Sequence, residues 1–171
     1  MRALIVDQSR DRSALAAARM LRADGWEVGT GSWRASIAST STATGPHHRI
    51  EEAETDEDRF IADIAAAVRA ENYEVVFCIY DVGLLVLSRR RAEVAPAVVP
   101  YAAHEIVERS FDKLAFTQAA LAAGLAVPRT EEADEASLAA WHGPVVVKAK
   151  HKAEQQRSEQ TKYATTRHTA R

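Results

Sequence analysis

The apolar positions of this chain come in two spacings that alternate over residues 1–101. Arg2-Ala-Leu-Ile-Val-Asp7 is a continuous apolar run closed by an acid, the pattern of a short buried strand. Next, Ala14, Leu15, Ala18 and Leu21 recur at helical spacing, with Ser9 or Asp11 placed to cap the helix and Gly25 placed to end it in a left-handed conformation. Trp26 to Trp33 returns to strand character. Strand, helix and strand at this spacing predict a parallel crossover unit, the opening of a doubly wound sheet.

Residues 35–48 are rich in Ser, Thr and Ala and contain Gly45-Pro46, and we read them as a loop. Thr55-Asp-Glu-Asp58 has the form of a capping box, and Phe60, Ile61, Ile64, Ala65 and Val68 then share one helical face as far as Asn72. Tyr73 to Tyr80 is apolar almost throughout, as a central parallel strand should be, and meets Asp81. A helix over Val82–Glu93 and a short fourth strand over Pro96–Tyr101 complete the series. Beyond it the alternation stops. His104–Arg109 links into a helix that opens at Ser110, carries Phe111, Leu114, Ala115 and Leu121 and ends at Gly124, a short helix covers Ala136–Trp141, a strand covers Pro144–Lys150, and Lys162–Thr166 is a candidate last strand. The expected organisation is therefore a first domain over 1–105 and a second over 106–171, with a basic carboxy-terminal tail.

With 171 residues, the chain has room for one domain or one domain and part of another. Its 22 basic and 24 acidic residues leave a formal charge of -2, so overall electrostatics do not call for nucleic acid or a membrane surface. Charge is uneven, however: from Lys148 onward there are seven Lys or Arg against two Glu, read as a solvated and partly disordered tail, whereas 51–58 is acidic. Cys78 is the one cysteine, which excludes an intramolecular disulfide, and its apolar neighbours make it a buried inert thiol. The amino-terminal apolar run is too short for a signal peptide and no stretch reaches membrane-spanning length, so a cytoplasmic protein is expected.

Two lysines change the picture. Lys113 falls in the first turn of its helix, at the positive end of the dipole, where a cation is unfavourable unless an anion is near. Lys148 closes a strand in which Val145 and Val147 share one face and Val146 and Lys148 the other, a placement suited to gripping a phosphate. Other candidates are weaker. His47-His48 lacks further ligands at metal spacing and reads as solvated, and Arg89-Arg-Arg91 points around a helix in three directions, which reads as solvated surface. There is no Gly-x-Gly-x-x-Gly after a strand, no Walker A loop and no nucleophile elbow.

Ser110-Phe-Asp-Lys-Leu-Ala-Phe116, Ala123-Gly-Leu-Ala-Val-Pro-Arg-Thr130 and Gly143-Pro-Val-Val-Val-Lys148, in that order, resemble the start of the ATP-grasp fold, and 35 positions separate Lys113 from Lys148, as in that superfamily. Residues 2–101 resemble the Rossmann-like domain that precedes it in carboxylate-amine ligases of the carbamoyl phosphate synthase and biotin carboxylase type. The fold class implied is α/β: a Rossmann-like parallel sheet with helices on both faces, followed by an incomplete α+β ATP-grasp amino-terminal lobe.

The resemblance further implies that Lys113 and Lys148 bind ATP, and that the reaction makes an acyl phosphate from a carboxylate for attack by an amine, with magnesium as the second cofactor. Nucleotide and carboxylate substrate are the implied partners; oligomeric state is not legible. Two departures stand out. No glycine follows Gly143, where the family has a glycine-rich phosphate loop, so either Lys150, Lys152 and Arg157 cover the phosphates with side chains or this cradle is missing. The family's carboxy-terminal lobe, with its metal ligands, would lie beyond Arg171, so this chain is expected to be the front half of such a ligase and inactive alone. Two alternatives remain: a non-catalytic scaffold or inactive remnant, and a receiver-like phosphoacceptor using Asp7 and Asp81, against which their separation of 74 residues weighs.

Overall fold

The computed structural model of the chain describes residues 1–8 and 11–147, together with the backbone of 162–165. Two compact units divide it, Met1–Val107 and Glu108–Arg171.

The first unit is built on β1 (Arg2–Val6), whose Ala3, Leu4 and Ile5 are completely buried. β1 pairs in parallel with β2 (Glu27–Ser32) on one side and with β4 (Val75–Cys78) on the other, and β3 (His47–Arg49) adds to β2, giving the order β3-β2-β1-β4. Successive side chains of a strand point to opposite faces, so β1 feeds two cores. Leu4 and Val6 join Val76 and Cys78 against Phe60, Ile64 and Val68 of α2 (Glu57–Glu71) and Val86 and Leu87 of α3 (Asp81–Arg89). Ile5 joins Val28 against Ala14 and Ala18 of α1 (Arg12–Ala23). A parallel sheet flanked by helices is thus the observed architecture.

Helix ends follow from local chemistry. Asp11 caps α1 by accepting from Ser13 N–H at 2.7 Å. At the other end Gly25 sits at φ 84°, and Gly25 and Trp26 donate to the carbonyls of Arg22 and Leu21, the paired bonds of a Schellman motif. Asp56, not Thr55, caps α2, accepting from Arg59 N–H at 3.0 Å; the carboxylate also suits the helix dipole. Asn72 ends α2 at φ 54°.

Three sequence expectations need correcting in this unit. Residues 47–49 form a strand rather than part of a loop, and the histidine pair, of which His47 is exposed and His48 half-buried, also bonds to protein: His47 Nδ1 lies 3.2 Å from Thr30 Oγ1 and His48 Nε2 lies 2.9 Å from the Tyr73 hydroxyl. Pro96–Tyr101 makes a single parallel bridge, Val98 to Val75, in place of a fourth strand, because prolines at 96 and 100 deny the ladder its donors. The helix expected over Val82–Glu93 is also shorter: α3 stops at Arg89, a 3-10 turn covers Arg91–Val94, and each arginine of this surface run has a partner. Arg89 pairs with Glu57, Arg90 with Asp58 at 2.6 Å and Glu93 at 2.7 Å, and Arg91 donates to the carbonyls of Ser88 at 3.1 Å and Tyr101 at 3.2 Å.

α4 (His104–Phe111) carries the chain across the boundary between the units. In the second unit, α5 (Lys113–Ala122) and α6 (Glu135–Ala140) precede β5 (Pro144–Val147), which pairs antiparallel with β6 (Lys162–Thr165). Among its described residues no side chain is fully buried, and Phe116, Leu121 and Leu125 are about 60% exposed (59%, 63% and 61%). The basic tail expected from Lys148 onward lies outside the described residues, apart from the backbone of β6.

Candidate functional site

Lys113 occupies the first position of α5, at the helix's positive end, as its sequence context predicts. What creates that end is Asp112. Residues 104–122 contain neither proline nor glycine, yet the backbone leaves helical geometry at Asp112 (φ -78°, ψ 103°) and its carboxylate accepts from Leu114 N–H at 3.0 Å and Ala115 N–H at 2.9 Å. The helix expected from Ser110 therefore opens at Lys113, and the expected link over 104–109 is itself helical, as part of α4. Thr117 Oγ1 donates to the Lys113 carbonyl at 2.7 Å and closes the first turn. At the far end Gly124, at φ 79°, and Leu125 donate to Leu121 and Ala120.

The turn that follows is tied to α6. Thr130 Oγ1 donates to the Pro128 carbonyl at 3.0 Å, Arg129 pairs with Glu131 at 2.6 Å, and the Arg129 guanidinium lies 4.5 Å from the centre of the Trp141 ring. Asp134 and Ser137 form a reciprocal capping box on α6, and those hydrogen bonds hold the Asp134 carboxyl below the usual carboxylate range. In β5, Val145 and Val147 are half-buried and Val146 is 49% exposed. Lys148, the second lysine singled out from the sequence, lies outside the described residues, as do Lys150, Lys152 and Arg157.

At the carboxyl end of the parallel sheet, Asp7 is 3% exposed and donates its N–H to the Gly31 carbonyl at 2.9 Å, while Asp81 opens α3. Among the described residues there is no group of three or more His, Cys, Asp or Glu that could hold a metal ion. The donor set present therefore does not fit magnesium, and no metal-dependent step is assigned to it. Cys78 is buried, and burial pushes its thiol up to about 12, so it is not a nucleophile at neutral pH. Cavities of about 260 Å³, beside Arg2, Arg22 and Tyr73, and about 420 Å³, beside Val68, Asn72 and Val98, sit in the first unit near the amino-terminal ends of the strands, away from the end where open α/β sheets bind ligands.

The cap at Asp112, the Arg129–Trp141 contact and the Tyr101 hydroxyl on Cys78 were not foreseen. For the first there was a signal, an Asp ahead of an apolar turn; the others join residues whose sequence separation hides them.

The fold of this chain is similar to part of several solved structures, each under 25% identical to it. An L-amino acid ligase from Bacillus licheniformis matches 98% of the chain with a TM-score of 0.64 and 14% identity. An N5-carboxyaminoimidazole ribonucleotide synthetase from Thermotoga maritima matches 88% at 0.54 with 16% identity, and the ADP complex of a synthetase of that name matches 74% at 0.50 with 14% identity. The chain spans 40%, 39% and 30% of the length of these three. No family model matches the sequence, and no curated protein matches it.

Proposed function

We propose that this chain provides the front portion of an ATP-dependent ligase that activates a carboxylate as an acyl phosphate for attack by an amine, with Lys113 and Lys148 contacting the ATP phosphates. The observation that carries the reading is the fold match over 98% of the chain, within which Lys113 opens a helix in the order of motifs that the resemblance requires. One of the similar structures is an ADP complex, which supports a nucleotide as the ligand. The chemistry asked of the lysines is charge neutralisation: ammonium groups offset negative charge on the transferring phosphoryl group while the site holds the reactants in line. Magnesium would be held by groups other than the described residues.

Thermal unfolding of the chain with and without magnesium-ATP tests this. A nucleotide-dependent rise in Tm that disappears in Lys113→Ala is expected, since a ligand bound only to the folded state stabilises it by mass action. Absence of any rise would overturn ATP binding by this chain. A second reading, a non-catalytic scaffold, draws on the exposed Phe116, Leu121 and Leu125; an unchanged Tm with nucleotide would favour it.

A further inference from the structure

We infer that Asp112 is a positioning residue for Lys113, an inference that rests on the reading of Lys113 as a phosphate ligand. Nothing in 104–122 other than Asp112 supplies a helix break: the stretch has no proline or glycine, and its residues are compatible with one continuous helix. The break is made by extended backbone at Asp112 and by its carboxylate on the N–H groups of Leu114 and Ala115. Side chains of a helix lean toward its amino terminus. A lysine at the first position therefore extends past the end of α5, whereas in a continuous helix it would lie back along the preceding turn. Asp112 also decides what the helix end can do. Two of its N–H groups are already taken by an anion, so a phosphate there would be gripped by the Lys113 ammonium and not by the helix backbone. The carboxylate meanwhile offsets the cost of a cation at the positive end of the dipole. Asp112 thus acts through Lys113, without touching the nucleotide.

The experiment is a binding titration of the full chain with magnesium-ATP and, separately, with adenosine, for the wild type, Lys113→Ala, Asp112→Ala, Asp112→Ser and the double variant D112A/K113A. Asp112→Ala should weaken magnesium-ATP by about tenfold, the scale of one contact to a charged group, and leave adenosine unchanged. Asp112→Ser, which can still cap, should recover most of the loss. In the Lys113→Ala background, Asp112→Ala should cost nothing more, because two residues acting through one contact are not additive. Wild-type affinity in Asp112→Ala, full additivity in the double variant, or a folded Asp112→Ser as weak as Asp112→Ala would overturn the inference while leaving Lys113 in place. Wild-type affinity in Lys113→Ala, or no binding by the wild type, would remove the underlying reading and the inference with it.

Discussion

The hydroxyl of Tyr101 serves both backbone groups of Cys78, accepting from its N–H at 3.0 Å and donating to its carbonyl at 3.0 Å. Cys78 is two residues beyond Val76, whose N–H donates to Val98 at 3.0 Å, so one side chain serves the outer edge of β4 past the Val98 bridge. Tyr101→Phe keeps the ring and strands both groups. Removing a partner from buried backbone costs about 1–3 kcal/mol, and urea unfolding should show that loss; an unchanged midpoint would mean water replaces the hydroxyl.

Gly29 lies beneath Tyr73. A Cβ at Gly29 would stand 1.7 Å from the Tyr73 hydroxyl oxygen and 2.5 Å from the ring carbon that bears it. Gly29→Ala is expected to cost about 1–3 kcal/mol, as overpacking does. Combining it with Tyr73→Phe relieves the worse of the two contacts, so the double variant should be less destabilised than the sum of the singles in a double-mutant cycle.

The histidines of β3 make stability depend on pH. Burial lowers the pKa of His47, against the opposing charge of Asp7, and also that of His48, against Glu71 and with a further lowering from His47. Both groups are therefore neutral in the fold at pH values where the unfolded chain, near 6.5, begins to take up protons. Their contribution is complete above 6.5 and is lost as pH falls through the folded values. The urea midpoint should drop on acidification below 6.5, and the double variant H47Q/H48Q should flatten that limb without altering the one below the carboxylate range.

Arg91 joins the 3-10 turn to the segment leading into α4 by donating to the Ser88, Tyr101 and Ala102 carbonyls. A guanidinium spreads its donors in a planar fork, and an ammonium cannot reproduce it. Arg91→Lys should therefore lose about 1–2 kcal/mol in chemical denaturation despite keeping its charge. Equal stability of the lysine variant would show that charge alone suffices.

β1, α1, α2 and the interior of β4 were legible because each buries one face, and burial writes a period of two or 3.6 into the sequence. β3 was not: His47-His48-Arg49 has no apolar signal, and what holds it is backbone pairing to Thr30, Gly31 and Ser32 together with side-chain bonds to Thr30 and Tyr73. Pro96–Tyr101 misled in the other direction, since Ala97 and Val99 are buried as a strand's residues would be although only Val98 pairs. For the candidate site, the place of Lys113 at a helix start could be read from the residues around it, and Asp112 was a candidate cap, but not distinguishable from an Asp inside a continuing turn. Whether a helix runs through an Asp or restarts at it depends on where the carboxylate turns, and composition does not record that. The partners of the surface arginines 89–91 were hidden for a related reason: their acceptors, Glu57, Asp58 and the Tyr101 carbonyl, are distant in sequence.

The two borders of the sheet also bear on how this molecule behaves beside other copies of itself. On one side β3 offers only three residues, two of them histidines and the third an arginine. On the other, β4 is lined by a segment bracketed by Pro96 and Pro100, with the Val98 N–H and carbonyl bonded to the backbone of Glu74 and Val76. Short, charged or proline-bounded borders are poor templates for a strand from another chain. In the first unit, then, the same departures from strand pattern that hide these segments from sequence reading guard the sheet against edge-to-edge aggregation.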